Sequence, residues 1–265
     1  MNNKIGISTA CFYPMPLEDA FDCICNLDVK FCEIFINTIS ETKIDFLIDI
    51  KSKADDNGIK IVSVHPFFSG YEEFLFFSEY NRRTADSIDL YKQFFEAAQY
   101  LQSDYVIFHG TARSNLNFKP EKYAETFRLI NAEAKKYGVE LLQEKVTFLS
   151  ENFIQSLHEV APDIRFTLDF KHTLLGGGDI AETIDIMGEN IAHIHFNDMC
   201  FPANERHTCR LPFYGNINYT EIFNKLIDIN YIGCFIIEVY RNNYENYAEI
   251  AESIKRFKAF LTQSV

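Results

Sequence analysis

The segment YAETFRLINAEAKKYGVELLQE, residues 123–144, decides how the chain folds. Its first part places Tyr123, Phe127, Ile130, Ala134 and Tyr137 at three- and four-residue spacing, the pattern of a helix with one apolar face. Gly138 follows, where a helix C-terminus favours glycine. Val139–Glu144 is then a short apolar run that ends in a carboxylate. Continuous apolar runs of this length belong to parallel strands covered on both faces. The unit therefore reads helix, glycine, buried strand, acid.

The same unit recurs in both directions. Strands are expected at Lys4–Ser8, Phe31–Ile36, Lys60–His65, Tyr105–His109, Val139–Glu144, Phe166–Asp169, Ile191–Phe196 and Cys234–Val239. Helical periodicity marks Thr84–Leu101 (Ile88, Tyr91, Phe95, Ala98, Leu101) and the segment from Tyr247 to Leu261 (Ile250, Ile254, Phe257). Pro16 and Pro120 stand where helices open and Gly58 where one closes. Eight strands alternating with about eight helices repeat every ~33 residues, which favours closure into a (β/α)8 barrel over an open doubly wound sheet. No linker or shift in composition divides the chain, so residues 1–265 read as one barrel domain. The connection Pro66–Arg83 is unusually long and carries Phe67, Phe68, Tyr71, Phe74, Phe76, Phe77 and Tyr80. It is expected to be a lid or part of an interface, such as a homodimer contact.

Composition narrows the partners. The net charge of −13, with no basic cluster denser than Arg82-Arg83 or Lys135-Lys136, disfavours nucleic acid and acidic membrane surfaces. Small, neutral or metal-chelated substrates suit such a chain. The seven cysteines form no CxxC pair, as in a reduced, cytoplasmic protein. MNNKIGISTACF at the start has no apolar signal-peptide core, and no run of 18 apolar residues suggests a membrane span.

The strand ends carry the chemistry. A buried strand of Val, Ile and Phe has no packing reason to finish in a carboxylate or imidazole, yet seven of the eight do. The second strand carries Glu33, and the third to fifth end at His65, His109 and Glu144. The sixth ends at Asp169 with His172 beyond, the seventh carries His193 and His195, and the eighth Glu238. In a barrel these ends converge on one mouth. Glu144, Asp169, His195 and Glu238 make a set of three oxygens and one nitrogen, whose carboxylates repel one another unless a cation neutralises them. Such a set suits one divalent ion, Mn²⁺, Zn²⁺, Co²⁺ or Mg²⁺. His193 is expected on the face opposite His195, outside the site. His158 reads as a surface or packing residue, and Cys200 and Cys209 as ordinary loop thiols.

These motifs resemble the xylose-isomerase-like TIM barrel superfamily. The resemblance runs over essentially the whole chain, through FCEIFI with Glu33, VSVHP with His65, VIFHG with His109, ELLQE with Glu144, DFKH (Asp169–His172), HIHFND (His193–Asp198), RLPFYGNINY (Arg210–Tyr219) and FIIEV with Glu238. That group includes sugar and sugar-phosphate isomerases and epimerases, inosose dehydratases, and apurinic endonucleases of the endonuclease IV type. The resemblance to its ketose epimerases implies a metal held by Glu144, Asp169, His195 and Glu238. It also implies acid–base roles for Glu144 and Glu238, and substrate contacts from His172 and Arg210, with His65 and His109 beside them. The substrate would be a small sugar or polyol-derived compound.

One residue departs from the family pattern. Lys145 follows the fifth-strand glutamate where asparagine is common, and would either bind an anionic substrate group or point outward. Gly176-Gly177-Gly178 opens a helix, where an anion can sit, although a flexible loop is the simpler reading. The resemblance to the endonucleases implies an alternative with three zinc ions. His65, His109, His172, Glu205 and His207 would be further ligands, Glu205-Arg206-His207 standing for the nuclease Asp-x-His. The acidic charge without a basic stripe opposes it. A third reading is a non-catalytic metal- or ligand-binding barrel, against which the complete carboxylate set argues.

Overall fold

Eight parallel strands close into a barrel. The computed structural model describes residues 4–110, 119–200 and 209–263. The strands are β1 (Ile5–Ser8), β2 (Phe31–Ile36), β3 (Lys60–Pro66), β4 (Tyr105–Phe108), β5 (Glu140–Glu144), β6 (Phe166–Asp169), β7 (Ile191–Phe196) and β8 (Cys234–Ile237). Each pairs with its neighbours in sequence, and β8 returns to β1 to shut the ring. The strands coincide with the apolar runs to within two residues at either end. His109 and Glu238, expected inside strands, stand just beyond β4 and β8.

Around them run α1 (Leu17–Cys25), α2 (Ile44–Asn57), α3 (Glu72–Phe76), α4 (Asn81–Tyr100), α5 (Pro120–Lys135), α6 (Glu151–Val160), α7 (Phe170–Leu175), α8 (Ile180–Met187), α9 (Tyr219–Asp228) and α10 (Tyr247–Gln263). Local chemistry sets several ends. Gly58 closes α2 at φ 60°, a conformation that costs other residues a steric penalty. Pro120 opens α5 at its first position. Ser150 caps α6 through the Phe153 amide, and Asp179 caps α8 through the Glu182 amide. Among the described residues no helix is long and apolar enough to cross a membrane.

Inside the barrel, two small apolar clusters fill the floor: Val62, Cys234 and Ile236, and Ile107, Leu142 and Ala192. Ile236, Ile107 and Leu142 each precede by two positions a polar residue at the mouth: Glu238, His109 and Glu144. Residues two apart share a strand face, so a polar layer rests directly on the apolar one. Register shifts at Cys32/Glu33 and at Phe166/Thr167 occur beside that layer, where bulges re-aim side chains.

The long connection after β3 is not featureless. It contains α3, and its aromatic residues divide into two groups. Phe76 is buried and Phe67, Phe68 and Phe77 pack on the core, whereas Tyr71, Phe74 and Tyr80 are more than half exposed. α4 also begins at Asn81, three residues earlier than its periodicity suggests.

Strand closure is tight at Gly6. A Cβ there would lie 2.6 Å from the Phe31 carbonyl oxygen and 2.5 Å from Ile236 Cδ1. Gly6→Ala should therefore cost about 1–3 kcal/mol, the range for overpacking a core, as a lowered midpoint in urea denaturation.

Candidate metal and acid–base site

The register brings the chemistry together. Asp169 on β6 stands beside His195 on β7, and Ile236 of β8 flanks His195 from the other side. His195 Nδ1 lies 2.8 Å from Glu144 Oε1, 3.3 Å from Glu238 Oε2 and 3.7 Å from Asp169 Oδ2. The ligand atoms of Glu144, Asp169, His195 and Glu238 all fall within 4.8 Å of one another, and all four residues are buried. Such a set can hold a metal ion.

The electrostatics fit a cation. Asp169 Oδ1 accepts from the His172 amide at 2.7 Å, but Asp169 Oδ2 is buried with no hydrogen-bond partner. A buried carboxylate oxygen with no hydrogen bond is costly, and a metal cation would lower that cost. Burial opposes charge on His195, but the surrounding Glu33, Glu238 and Glu144 carboxylates outweigh it and hold this imidazole well above its ordinary range. A proton here stands where positive charge is wanted. Asp169 is held well below the usual carboxylate range: burial would raise it, but Lys171, His172 and His195 outweigh that effect.

Behind the cluster, Glu33 fixes His195. Glu33 Oε2 takes His195 Nε2 at 3.1 Å, Ser63 Oγ at 2.7 Å and approaches His193 Nε2 at 3.3 Å. Holding Nε2–H on a carboxylate turns Nδ1 toward the other ligands, where a metal ion would take the place of its proton, the usual arrangement behind a metal-binding histidine. His193 is thus inside the barrel. The expectation of an outward side chain is overturned, because residues two apart on a strand share a face.

Above the cluster opens a cavity of about 260 Å³, lined by Glu144, Glu238, His65, His109, His172, Lys171, Phe35 and Tyr240 among others. His65 Nε2 lies 4.0 Å from Glu144 and 3.9 Å from Glu238. His172 Nδ1 shares a hydrogen bond of 2.7 Å with Thr147 Oγ1. His109 sits between Glu72, 3.2 Å from Nδ1, and Glu144, 3.2 Å from Nε2. Burial works against its charge, yet these carboxylates push the imidazole up from 6.5 to about 9. Lys171, which nothing in the strand pattern singles out, is largely buried with Nζ 3.8 Å from Asp169 Oδ2.

Other expected residues lie elsewhere. Lys145 is fully buried away from this cavity, its Nζ 3.4 Å from Glu151 Oε1, so the anion-binding role is not supported by its position. The triple glycine makes room for that same carboxylate, since a Cβ on Gly178 would meet Glu151 Oε1 at 2.1 Å. The start of α8 thus already has acids of its own, Glu151 and the capping Asp179. Arg210 lines a separate cavity with Cys200, Tyr214, Asn243 and Glu249. Its loop is held by Asp198, which accepts from the amides of Gly215 at 2.9 Å and Ile217 at 3.1 Å. His158 sits on α6 near Asn190. Cys209, expected in a loop, pairs in a short antiparallel ladder with Met199, and burial pushes its thiol up to about 12, as suits an inert cysteine. Glu205 and His207 lie outside the described residues.

A family model of the xylose isomerase-like TIM barrel matches residues 21–260. The chain belongs to that family. An uncharacterized protein from Methanocaldococcus jannaschii is 24% identical over all of this chain and 92% of its own length. Among solved structures, a D-tagatose 3-epimerase-like protein superposes with a TM-score of 0.77 at 21% identity, covering 98% of both chains. An L-ribulose 3-epimerase gives 0.77 at 16% identity, over 97% of this chain and 93% of that one. A 3-keto-D-glucoside 4-epimerase from E. coli gives 0.75 at 14%, over 97% and 99%. These likenesses establish the fold.

Two outcomes are expected. Glu33→Gln should weaken divalent-cation binding about 10- to 100-fold by calorimetric titration, because the orienting carboxylate is lost. With cations chelated, His109 should make stability depend on pH. A folded pKa raised to about 9 stabilises fully below 6.5, and that contribution is lost as pH rises through about 9. Denaturation midpoints should fall over this window, and less so in His109→Gln.

Proposed function

We propose that this protein is a divalent-metal-dependent sugar isomerase or epimerase that moves a proton on the carbon next to a carbonyl. One observation carries the reading. Glu144 from β5 and Glu238 from the end of β8 reach the same cavity wall, with Asp169 and His195 between them. This chemistry needs two carboxylates to exchange a proton and a cationic centre to take up charge on oxygen. The structural likeness to three proteins named as sugar epimerases, or epimerase-like, supports the same class.

Glu144, Asp169, His195 and Glu238 would hold the ion. When bound, it would polarise the carbonyl and stabilise negative charge on the neighbouring oxygens. The rest falls to the protein. One of Glu144 and Glu238 removes the α proton and the other returns it, on the same or the adjacent carbon. His65, His109 and His172 present ring nitrogens to substrate hydroxyls. Phe35 and Tyr240 offer apolar walls, as in many small-molecule pockets. The small cavity suits a monosaccharide-sized compound rather than a duplex. Ligands with two adjacent oxygens and a carbonyl fit this donor set.

The chain loaded with Mn²⁺ should incorporate deuterium from D2O at the α carbon of at least one sugar in a ketose panel. Loss of exchange on chelation and recovery on adding metal would tie it to the site. Cleavage of an abasic duplex without exchange would assign the nuclease reading, and neither activity nor bound metal the non-catalytic one. Glu238→Gln should reduce turnover by at least about 100-fold while leaving the circular dichroism spectrum unchanged, since general acid–base groups contribute on that scale. Full activity in that variant would remove Glu238 from the scheme.

A further inference from the structure

We propose that Glu72, on the aromatic connection after β3, is a positioning residue that sets His109 against Glu144, so that the acid–base site is complete only when this connection is seated on the barrel. The inference rests on the acid–base role proposed for Glu144.

Glu72 opens the five-residue helix α3 and has no exposed surface. A carboxylate among the inward aromatics of this segment has no packing reason to be buried. Three donors account for it. Tyr91 donates its hydroxyl, the Gly110 amide donates at 2.6 Å, and His109 Nδ1 lies at 3.2 Å. An ionised carboxylate only accepts, so the hydrogen on this contact belongs to Nδ1. The other nitrogen, Nε2, is then the one presented to the site, 3.2 Å from Glu144 Oε2.

The backbone is shaped for this contact. Gly110 has φ 74°, and a Cβ there would lie 1.7 Å from the Tyr123 hydroxyl. That hydroxyl donates to Gln143 Oε1 at 2.6 Å, and Gln143 Nε2 donates to the His109 carbonyl at 2.9 Å. His109 is therefore held at its main chain by Gln143 and at its ring by Glu72. The χ2 torsion of histidine is broad, so the ring needs such an anchor to keep one face toward Glu144. Aromatic packing brings the anchor in. Phe76 meets Tyr91 at 4.8 Å and Phe108 at 5.6 Å, and Phe77 stacks on Tyr123 at 4.5 Å. The inward aromatics of the connection thus seat the residue that orients a site histidine, 37 positions away.

The test is Glu72→Gln, alone and combined with His109→Gln. Glu72→Gln should lower kcat about 10- to 100-fold, the scale of misplacing a catalytic group, with KM within about threefold and metal content unchanged. In the His109→Gln background the same change should have no further effect on kcat, since the group it positions is gone. An equal loss in both backgrounds, or full kcat in Glu72→Gln, overturns the proposal. A second readout needs neither turnover nor the variant. ¹⁵N-histidine NMR of the wild-type chain should show His109 with a slowly exchanging hydrogen on Nδ1. A ring protonated on Nε2 alone would overturn the proposal even if Glu72→Gln failed to fold. If no sugar is turned over, the reaction reading fails while this NMR result still decides the orientation.

Discussion

Five carboxylates, those of Glu33, Glu72, Glu144, Asp169 and Glu238, are each at most 3% exposed at one end of the barrel. Removing a charged carboxylate from water is among the most expensive acts in folding, and each must find donors or a counter-charge. Much of the polar architecture follows from that constraint. Glu33 gathers Ser63 and two histidines, and Glu72 gathers a tyrosine, a histidine and a backbone amide. Glu144, Asp169 and Glu238 instead converge on the His195 imidazole, with His109 and His65 also beside Glu144, and Asp169 Oδ2 has no hydrogen bond. Glu72 is satisfied by the protein itself, whereas Glu33 keeps one buried oxygen, Oε1, without a hydrogen bond. Three carboxylates crowded on His195 leave an excess of negative charge there, and that crowding marks the functional centre.

The arrangement is layered. Ile107, Leu142 and Ile236 provide a dry floor, the strand-end acids and imidazoles form the next layer, and the connection after β3 covers one side. A low-dielectric floor strengthens the interactions directly above it, so the acids close to His195 and His109 outweigh the burial that opposes charge on both rings. Lys171 contributes a largely buried positive charge beside Asp169, which tempers the repulsion without entering the ligand set.

Much of the fold was legible because a parallel strand buried on both faces must be continuously apolar, and the ends of such strands must converge once the sheet closes. Glu144, Asp169, His195 and Glu238 stood out for the same reason, being polar where packing asks for none. His193 was misplaced by a mistaken face assignment, and the two-residue periodicity would have put it inside. Glu72 was hidden because it belongs to no strand and sits among aromatics that read as a lid. Lys145 drew attention by adjacency in sequence, yet adjacent strand residues face opposite ways, and Glu151 takes its ammonium. Arg210 looked like a site residue from its motif, but that motif is built around Asp198, whose amide contacts shape the loop.

The sequence by itself determined the barrel and the acids and imidazoles at its mouth, since periodicity and strand-end chemistry are local properties of the chain. Only the tertiary structure decided which nitrogen of each histidine faces the centre, which lysine lies beside Asp169, and that a glutamate from a distant connection reaches His109. Those choices depend on register, on bulges and on side-chain packing between segments far apart in sequence, and no local pattern encodes them.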